Sequence, residues 1–395
     1  MPARRLSIAM VAPCPFPTPQ GTQVFIGGLA RALSRRGHRV DLVTYHYGQE
    51  GAGAGLNGVG LHRSRPLPVR SRLTSGPSLG KPLLDLLVTA RLDRVVRDSR
   101  ADLIHAHNYE GLLAGLIIGR LRNVPVIFHT HNTMTDELPS YSRFTLVRTV
   151  WRWFGDFLDG QFPRRAQACI AVTAEIAEEV RLRGMPAEAT AAIPPAVDEE
   201  QLMEPARPQA SSDSPAVLYA GNLDRYQNLD FVVSSFDRVL ERRPDVRLRI
   251  VTHAPAPEAA RAARRWGSRR GLEIIRTDSF EAMRQHLREC RVALCPRISP
   301  YGFPVKLLNY LAAGKPVVAC RSSARSIEHL VNGWVVEDGD HEGFAGAILA
   351  LLNDENLRRR LSEGARRTAR EIFSWDTLIP RYEEVYGKVL ERWNG

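Results

Sequence analysis

Short apolar runs alternate with stretches of helical period along nearly all of the 395 residues. Runs bounded by turn residues predict strands buried on both faces at about Leu6 to Ala12, Arg39 to Thr44, Leu103 to His107, Val126 to His129 and Ala168 to Val172. Between them, apolar positions recur every three or four residues, as from Val24 to Arg36, where Gly37 ends the helix. After Pro215 the alternation restarts. Strands are predicted at Ala216 to Ala220, Leu248 to Val251, Leu272 to Ile275 and Val292 to Cys295, with helices from Asn228, over Pro257 to Trp266 and over Phe280 to Glu289. From Glu342 onward the period is helical, punctuated by Gly364 and Trp375. Strand and helix in strict alternation predict an α/β fold of parallel sheets covered on both faces.

The length exceeds one comfortable core, so two domains are expected. EPARPQASSDSP, from Glu204 to Pro215, is poor in apolar residues and reads as the linker. The predicted organisation is a first domain over 1–203, a linker over 204–215, a second domain over 216–375 and a closing helix over about 376–395. Gly48 to Gly60 contains GAGAG but neither follows a clear strand nor opens a helix, so it reads as a loop and not as a nucleotide fingerprint.

Composition narrows the classes. Apolar residues make up 44% and charged residues 25%, as in a soluble globular protein, and no apolar run reaches bilayer length. The basic start imitates a signal peptide, but its apolar stretch is short and runs into prolines, so it reads as the first buried strand. Five scattered cysteines form neither a disulfide framework nor a zinc spacing, which favours a cytoplasmic setting. Net charge is +11, yet only Lys81, Lys306, Lys315 and Lys388 of the 54 basic residues are lysine. No interleaving of aromatic and basic residues of the base-stacking kind accompanies that charge, and no nucleic-acid partner is expected.

The segment YGFPVKLLNYLAAGKPVVA, from Tyr301 to Ala319, reads as loop, helix and buried strand. Proline suits the first helical turn and Gly314 the end. Free N–H groups and the positive dipole end at such a start suit a phosphate, and Lys306 adds a charge one turn in. The plainer alternative is an ordinary crossover with a surface lysine.

Several motifs then occur in a telling order. APCPFPTPQGTQVFIGGLARALSRRGHRVDLVT, ADLIHAHNYEG, VPVIFHTHN, VLYAGNLDRYQNLD, YGFPVKLLNYLAAGKPVV and FSWDTLIPRYEEVY resemble the landmarks of retaining glycosyltransferases of family 4. The resemblance covers nearly the whole chain. It implies a GT-B architecture of two Rossmann-like domains facing across a cleft, with the acceptor mainly on the first, the nucleotide-sugar mainly on the second and the closing helix returning to the first. The implied activity is hexosyl transfer with retention to a glycan or lipid-linked acceptor, with no metal or other cofactor, since protein cations and helix dipoles hold the leaving diphosphate.

Carried over residue by residue, the resemblance gives Gly21 the glycine turn that approaches the donor, and it puts Gly302, Phe303 and Asn309 in the donor-binding segment. Asn222 and Gln227 stand where the family often has an arginine and a lysine for the diphosphate, so Arg225, Arg297 or Lys306 is expected to supply that charge. Tyr301 and Asn309 stand where the family often has two glutamates. Asn309 can still bond ribose hydroxyls, whereas a tyrosine cannot replace a carboxylate beside a developing cation.

His105 and His107, like His129 and His131, lie two apart near strand ends and so share faces. A metal site is not expected, for want of a recognisable ligand set. The resemblance makes His131 the residue at the sugar and acceptor, with His107 and Asp136 on the acceptor side and Glu110 a further carboxylate nearby. Tyr141 to Arg165 mixes Trp151, Trp153 and Phe154 with Arg148 and Arg152, and nine basic against three acidic residues lie between Arg63 and Arg100. Both features suit an anionic membrane surface and a peripheral position at the inner face of the plasma membrane; the alternative is a helix packed on its own domain. Rival functions are a GT-B sugar-nucleotide epimerase and a catalytically silent nucleotide-sugar binder.

Overall fold

The computed structural model describes residues 4–18, 20–48, 56–67, 80–142, 144–197, 215–298 and 302–395. The chain divides into two compact units. One is formed by residues up to Ala196 with Gly302, Phe303 and Trp375–Gly395, the other by Val197–Pro300 and Pro304–Ser374. The expected linker, apart from Pro215, and the GAGAG stretch lie outside the described residues.

In the first unit, parallel strands β1 (Ser7–Val11), β2 (Arg39–Thr44), β3 (Val59–Arg63), β4 (Leu103–His107), β5 (Val126–Thr130), β6 (Ala168–Ala171) and β7 (Thr190–Ala192) form one sheet in the order β3-β2-β1-β4-β5-β6-β7. Helices α1 (Gly21–Arg35), α2 (Lys81–Ser99), α3 (Asn108–Arg122), α4 (Met134–Ser140), α5 (Thr145–Gln161) and α6 (Ala174–Leu182) connect them. The two-residue period of a strand sorts the core. Ala9 and Val11 face the layer of α2, α3 and α6 with Ile104, Val126 and Phe128, while Ile8 and Met10 face α1 with Leu42, Leu103 and Ile127.

The second unit repeats the plan with β8 (Ala216–Ala220), β9 (Arg247–Thr252), β10 (Leu272–Arg276), β11 (Val292–Cys295), β12 (Val317–Cys320) and β13 (Trp334–Val336), ordered β10-β9-β8-β11-β12-β13. Its helices are α7 (Leu229–Arg242), α8 (Ala256–Trp266), α9 (Phe280–Glu289), α10 (Val305–Ala312), α11 (His341–Asn353) and α12 (Glu355–Ile372). In each sheet the winding reverses between the first and fourth strands, and open parallel sheets bind ligands beyond the strand carboxyl ends at such a reversal. These points are β1/β4 and β8/β11. Gly364, inside α12, is explained by close approach, because a Cβ there would strike the Val331 carbonyl.

The closing helix α13 (Trp375–Asn394) joins the first unit, burying Trp375, Leu378, Tyr382 and Tyr386 in the layer with α1. Strands β3, β7 and β13 are not anticipated by the sequence pattern. VGLHR of β3 is half-exposed without alternation, and the other two have three residues each, too few to carry a period. Trp375 is 4% exposed, stacks on Phe25 with ring centroids 5.8 Å apart, and lies 2.7 Å from where a Cβ on Gly28 would be. Trp375→Ala should therefore cost the first unit about 3–5 kcal/mol, read as an earlier urea transition by circular dichroism; an unshifted transition would show that α13 contributes little.

Candidate functional site

At the reversal point of the second sheet, Tyr219 is the penultimate residue of β8 and fully buried. Its hydroxyl donates to the Asn222 carbonyl at 2.6 Å and accepts from the Lys306 Nζ at 2.7 Å. Lys306, the second residue of α10, also donates to Gln227 Oε1 at 2.6 Å, and its Nζ stands 4.0 Å from the Tyr219 ring centroid. Gly221, at φ +151°, leaves room for the amine, since a Cβ there would lie 2.7 Å from Nζ. These partners are neutral. Burial pushes the Lys306 pKa down to about 7; Cys295 opposes that shift, Arg297 adds to it and Asp224 opposes it. The plain alternative of a solvated surface lysine is overturned: the residue is half-buried and its amine enclosed.

Tyr310 fixes α10 to the strand end. Its hydroxyl accepts from the Ala220 N–H at 2.8 Å and donates to the Ala220 carbonyl at 3.2 Å. Leu307, Leu308 and Leu311 bury the inner face, and Gly314, at φ +62°, ends the helix. Pro304 begins it without a side-chain cap, so among the described residues no cap side chain takes up the free N–H groups there.

Asn222 Nδ2 donates to Asp224 Oδ2 at 2.6 Å and to the Tyr226 hydroxyl at 3.0 Å. Arg297, just past β11, has its guanidinium 5.3 Å from the Tyr226 ring centroid, and burial lowers its pKa. The structure thus gathers Asn222, Arg297 and Lys306 at one strand end. Arg225 is exposed in the turn Arg225–Gln227, and Asn309 is half-buried one turn beyond Lys306. Gly302 adopts φ +67°, and a Cβ on it would strike Asn132 Oδ1; Phe303 packs on the first unit's core. Tyr301 lies outside the described residues.

In the first unit, β4 and β5 deliver four imidazoles at their carboxyl ends. His105 and His107 stack with centroids 4.6 Å apart and planes within 14°, and His129 and His131 at 4.9 Å and 10°. His107 Nδ1 and His131 Nε2 are 3.3 Å apart; His105 Nε2 meets His129 Nδ1 at 3.0 Å, and His105 Nδ1 meets the Tyr386 hydroxyl at 2.6 Å. Burial lowers all four pKa values, that of His131 to about 4 and that of His105 to about 3, so the rings are neutral near neutral pH. His131, half-buried, is the outermost.

His105, His107 and His129 offer ring nitrogens within 4.8 Å of one another. A ring's lone pair lies in its plane, however, and the parallel planes of His105 and His107 cannot both aim at one ion about 2 Å away. The cluster forms two separate hydrogen-bonded links, Tyr386–His105–His129 and His107–His131, and leaves His107 Nε2 and His129 Nε2 buried without a described partner.

Gly21 is the first residue of α1, so it opens the helix and is not the turn before it. The same helix sets Phe25 edge-on to His131 at 5.5 Å. Asp136 Oδ2 accepts from Thr133 Oγ1 at 2.6 Å within the first turn of α4, and Glu110 pairs with Lys81. The stronger anchor is Asp159 of α5, which sequence reasoning overlooked. Its buried carboxylate accepts from the N–H groups of Met134 at 2.9 Å and Thr135 at 2.8 Å, from Thr135 Oγ1 and from the Tyr109 hydroxyl. It thereby pins the segment that follows His131.

A family model for Glycosyltransferase Family 4 matches residues 19–201, and one for Glycosyl transferases group 1 matches residues 214–354. The chain belongs to glycosyltransferase family 4. It is 26% identical to a D-inositol 3-phosphate glycosyltransferase of Xylanimonas cellulosilytica, over 94% of this chain and 92% of that one. It is 22% identical to a phosphatidyl-myo-inositol mannosyltransferase of Mycobacterium tuberculosis, over 97% of each. Among solved structures, a sucrose-phosphate synthase from Thermosynechococcus elongatus superposes with a TM-score of 0.76 at 18% identity, covering 98% of this chain and 100% of that one. HepE of Anabaena in complex with UDP superposes at 0.70 with 17% identity, covering 97% and 100%. The fold is accordingly GT-B, with two Rossmann-like domains.

In this glycosyltransferase Tyr219 and Gln227 hold the key lysine; Tyr219 was not selected from sequence, and Gln227 was noted only as standing in place of an expected lysine. The signal was present only as an aromatic two residues before a strand-ending glycine in LYAG. Because the folded-state pKa of Lys306 lies below the ordinary lysine value of 10.5, the unfolded chain binds more protons between about pH 7 and 10, and stability rises with pH across that window. Lys306→Met should therefore raise the melting temperature more at about pH 6 than at about pH 10. An equal gain at both would mean that the amine is solvated.

Proposed function

We propose that this glycosyltransferase moves a sugar from a nucleotide-sugar to a glycan or lipid-linked acceptor, with retention and without a metal. The observation that carries the reading is the enclosed Lys306 amine, which has only neutral partners beside an uncapped helix start. An anion is the partner that would make this amine a full cation, and a diphosphate supplies one. As the sugar C1–O bond breaks, its electron pair passes to a phosphate oxygen. Lys306, Arg297 and the N–H groups at the start of α10 are fixed beforehand to stabilise that charge, which is why no divalent ion is needed.

In a front-face displacement the acceptor oxygen bonds to C1 on the side that the phosphate leaves, and the acceptor proton goes to the departing oxygen. A neutral His131 can hydrogen-bond a sugar hydroxyl or the acceptor while this occurs. Asn309 is the ribose-side group, able both to donate and to accept. The relative named as a phosphatidyl-myo-inositol mannosyltransferase supports a lipid-linked acceptor, and HepE in complex with UDP supports a nucleotide donor.

Turnover of a panel of nucleotide-sugars tests the reading. Release or transfer of sugar is expected, undiminished by chelator; epimer interconversion, or binding without turnover, would overturn it. Lys306→Ala should lower kcat/KM by about 2–4 kcal/mol of transition-state stabilisation while the circular dichroism spectrum is kept. Unchanged kinetics would remove the lysine from the mechanism. His131→Ala should lower kcat by roughly 100-fold or more with nucleotide binding intact, and loss of nucleotide binding instead would contradict its assignment.

A further inference from the structure

His131 is carried on a short bridge of chain. β5 ends at Thr130, whose buried hydroxyl donates to the Asn132 carbonyl at 2.8 Å, and α4 begins at Met134. Residues 131–133 alone lie between. The sheet fixes the upstream end, so the setting of the imidazole depends on what fixes the downstream end. α4 does not hold itself there. It has seven residues, contains Pro139 and has no fully buried residue, and a helix this short has little stability of its own.

One turn of α5 supplies the hold. Gly155 is buried so close to the Met134 carbonyl that a Cβ there would strike it. One turn later Asp159 Oδ1 accepts from the N–H of the same Met134 at 2.9 Å and from the Tyr109 hydroxyl. Its Oδ2 accepts from the Thr135 N–H at 2.8 Å and from Thr135 Oγ1 at 2.6 Å. Each oxygen of this buried carboxylate thus receives two donors. An aspartate offers acceptors only, whereas an asparagine would have to turn its NH2 group on one pair of those donors. Arg183, at the end of α6, adds a further donor to Thr135 Oγ1 at 3.3 Å.

We propose that Asp159 is a positioning residue for sugar transfer, acting through His131 by fixing the peptide at Met134. The assignment rests on His131 working at the sugar or acceptor, as proposed above. His131 is then set from three directions. Its Nε2 is 3.3 Å from His107 Nδ1, its ring stacks on His129 with centroids 4.9 Å apart, and its chain is pinned three residues on. A slip of the Met134 peptide swings the imidazole out of line while removing no group that touches substrate. Lys306 and Arg297 belong to the other unit, so the grip on the diphosphate is untouched.

A double-mutant cycle on the full chain tests the proposal, with the nucleotide-sugar that the panel shows to be turned over. Asp159→Asn should lower kcat about 30-fold and leave the KM for that donor as in the wild type. Because the effect passes through His131, adding Asp159→Asn to His131→Ala should lower kcat by no more than about twofold further. A merely structural role would cost the same in both backgrounds. Amide hydrogen exchange at Met134 and Thr135 should also quicken in Asp159→Asn, a readout that needs no turnover. Where that variant does not fold, Thr135→Val removes one donor and keeps both N–H bonds; its loss of about threefold in kcat should vanish when His131 is absent. Wild-type kcat beside a slow His131→Ala, an additive cycle, a loss confined to KM, or unchanged exchange would each overturn the role of Asp159 alone. Undiminished kcat in His131→Ala, or no turnover of any donor, would reject the reading of the site and this proposal with it.

Discussion

A cation whose described hydrogen-bond partners are neutral is the constraint around which the second unit is organised. Lys306 gives up most of its hydration and receives from the protein one phenolic oxygen, one amide oxygen and the face of an aromatic ring. Those groups orient the amine but cannot balance its charge, so its pKa is pushed to about 7 and it waits near the edge of ionisation. The same constraint explains Gln227. A second lysine at that position would set two ammonium groups about 3 Å apart in a dry site, whereas the glutamine supplies an acceptor oxygen. Gln227 is thus the complement of a lysine arriving from α10.

The sheets explain why this chemistry sits at strand ends. Strands buried on both faces make an unpaired charge costly along their length, and the reversal of winding opens a crevice at the carboxyl edge. Tyr219, Gly221 and Arg297 lie at that edge of the second sheet, beside β8 and β11. In the first sheet His107 ends β4 beside β1, and His131 follows β5. The deeper histidines have neutral rings, with His105 bonded to His129 and to Tyr386 of the closing helix and His107 bonded to His131.

Much of the fold was legible because buried parallel strands are continuous apolar words in the sequence. The strands Arg39–Thr44, Leu103–His107 and Val292–Cys295 appear in the structure with the bounds read from the sequence. The half-exposed edge strand β3 and the three-residue strands carry too little pattern to be read. The site was less legible. Lys306 stood out by its place after a proline, but its burial depends on Tyr219 and Gln227, which lie 87 and 79 positions earlier. No local period encodes such a contact. Arg225 looked equivalent in sequence, and only the turn that exposes it separates it from Arg297.

Lysine usage carries the same logic to single residues. In a chain of 54 basic residues with four lysines, Lys306 and Lys315 stand where a compact donor is enclosed. Lys315 donates to the Arg288 carbonyl at 2.6 Å and the Cys290 carbonyl at 2.8 Å, tying the start of β12 to the end of α9. Lys306 enters a socket in which even one methyl group on Gly221 would lie 2.7 Å from its nitrogen. A planar guanidinium, with five donors to satisfy, would not fit there without displacing Gly221 or the Tyr219 ring, and its charge could not be set near neutrality by burial. Arginine serves where area helps, as Arg297 does over the Tyr226 ring. Among the described cations at this strand end, the socketed lysine is the one whose pKa burial brings to about 7.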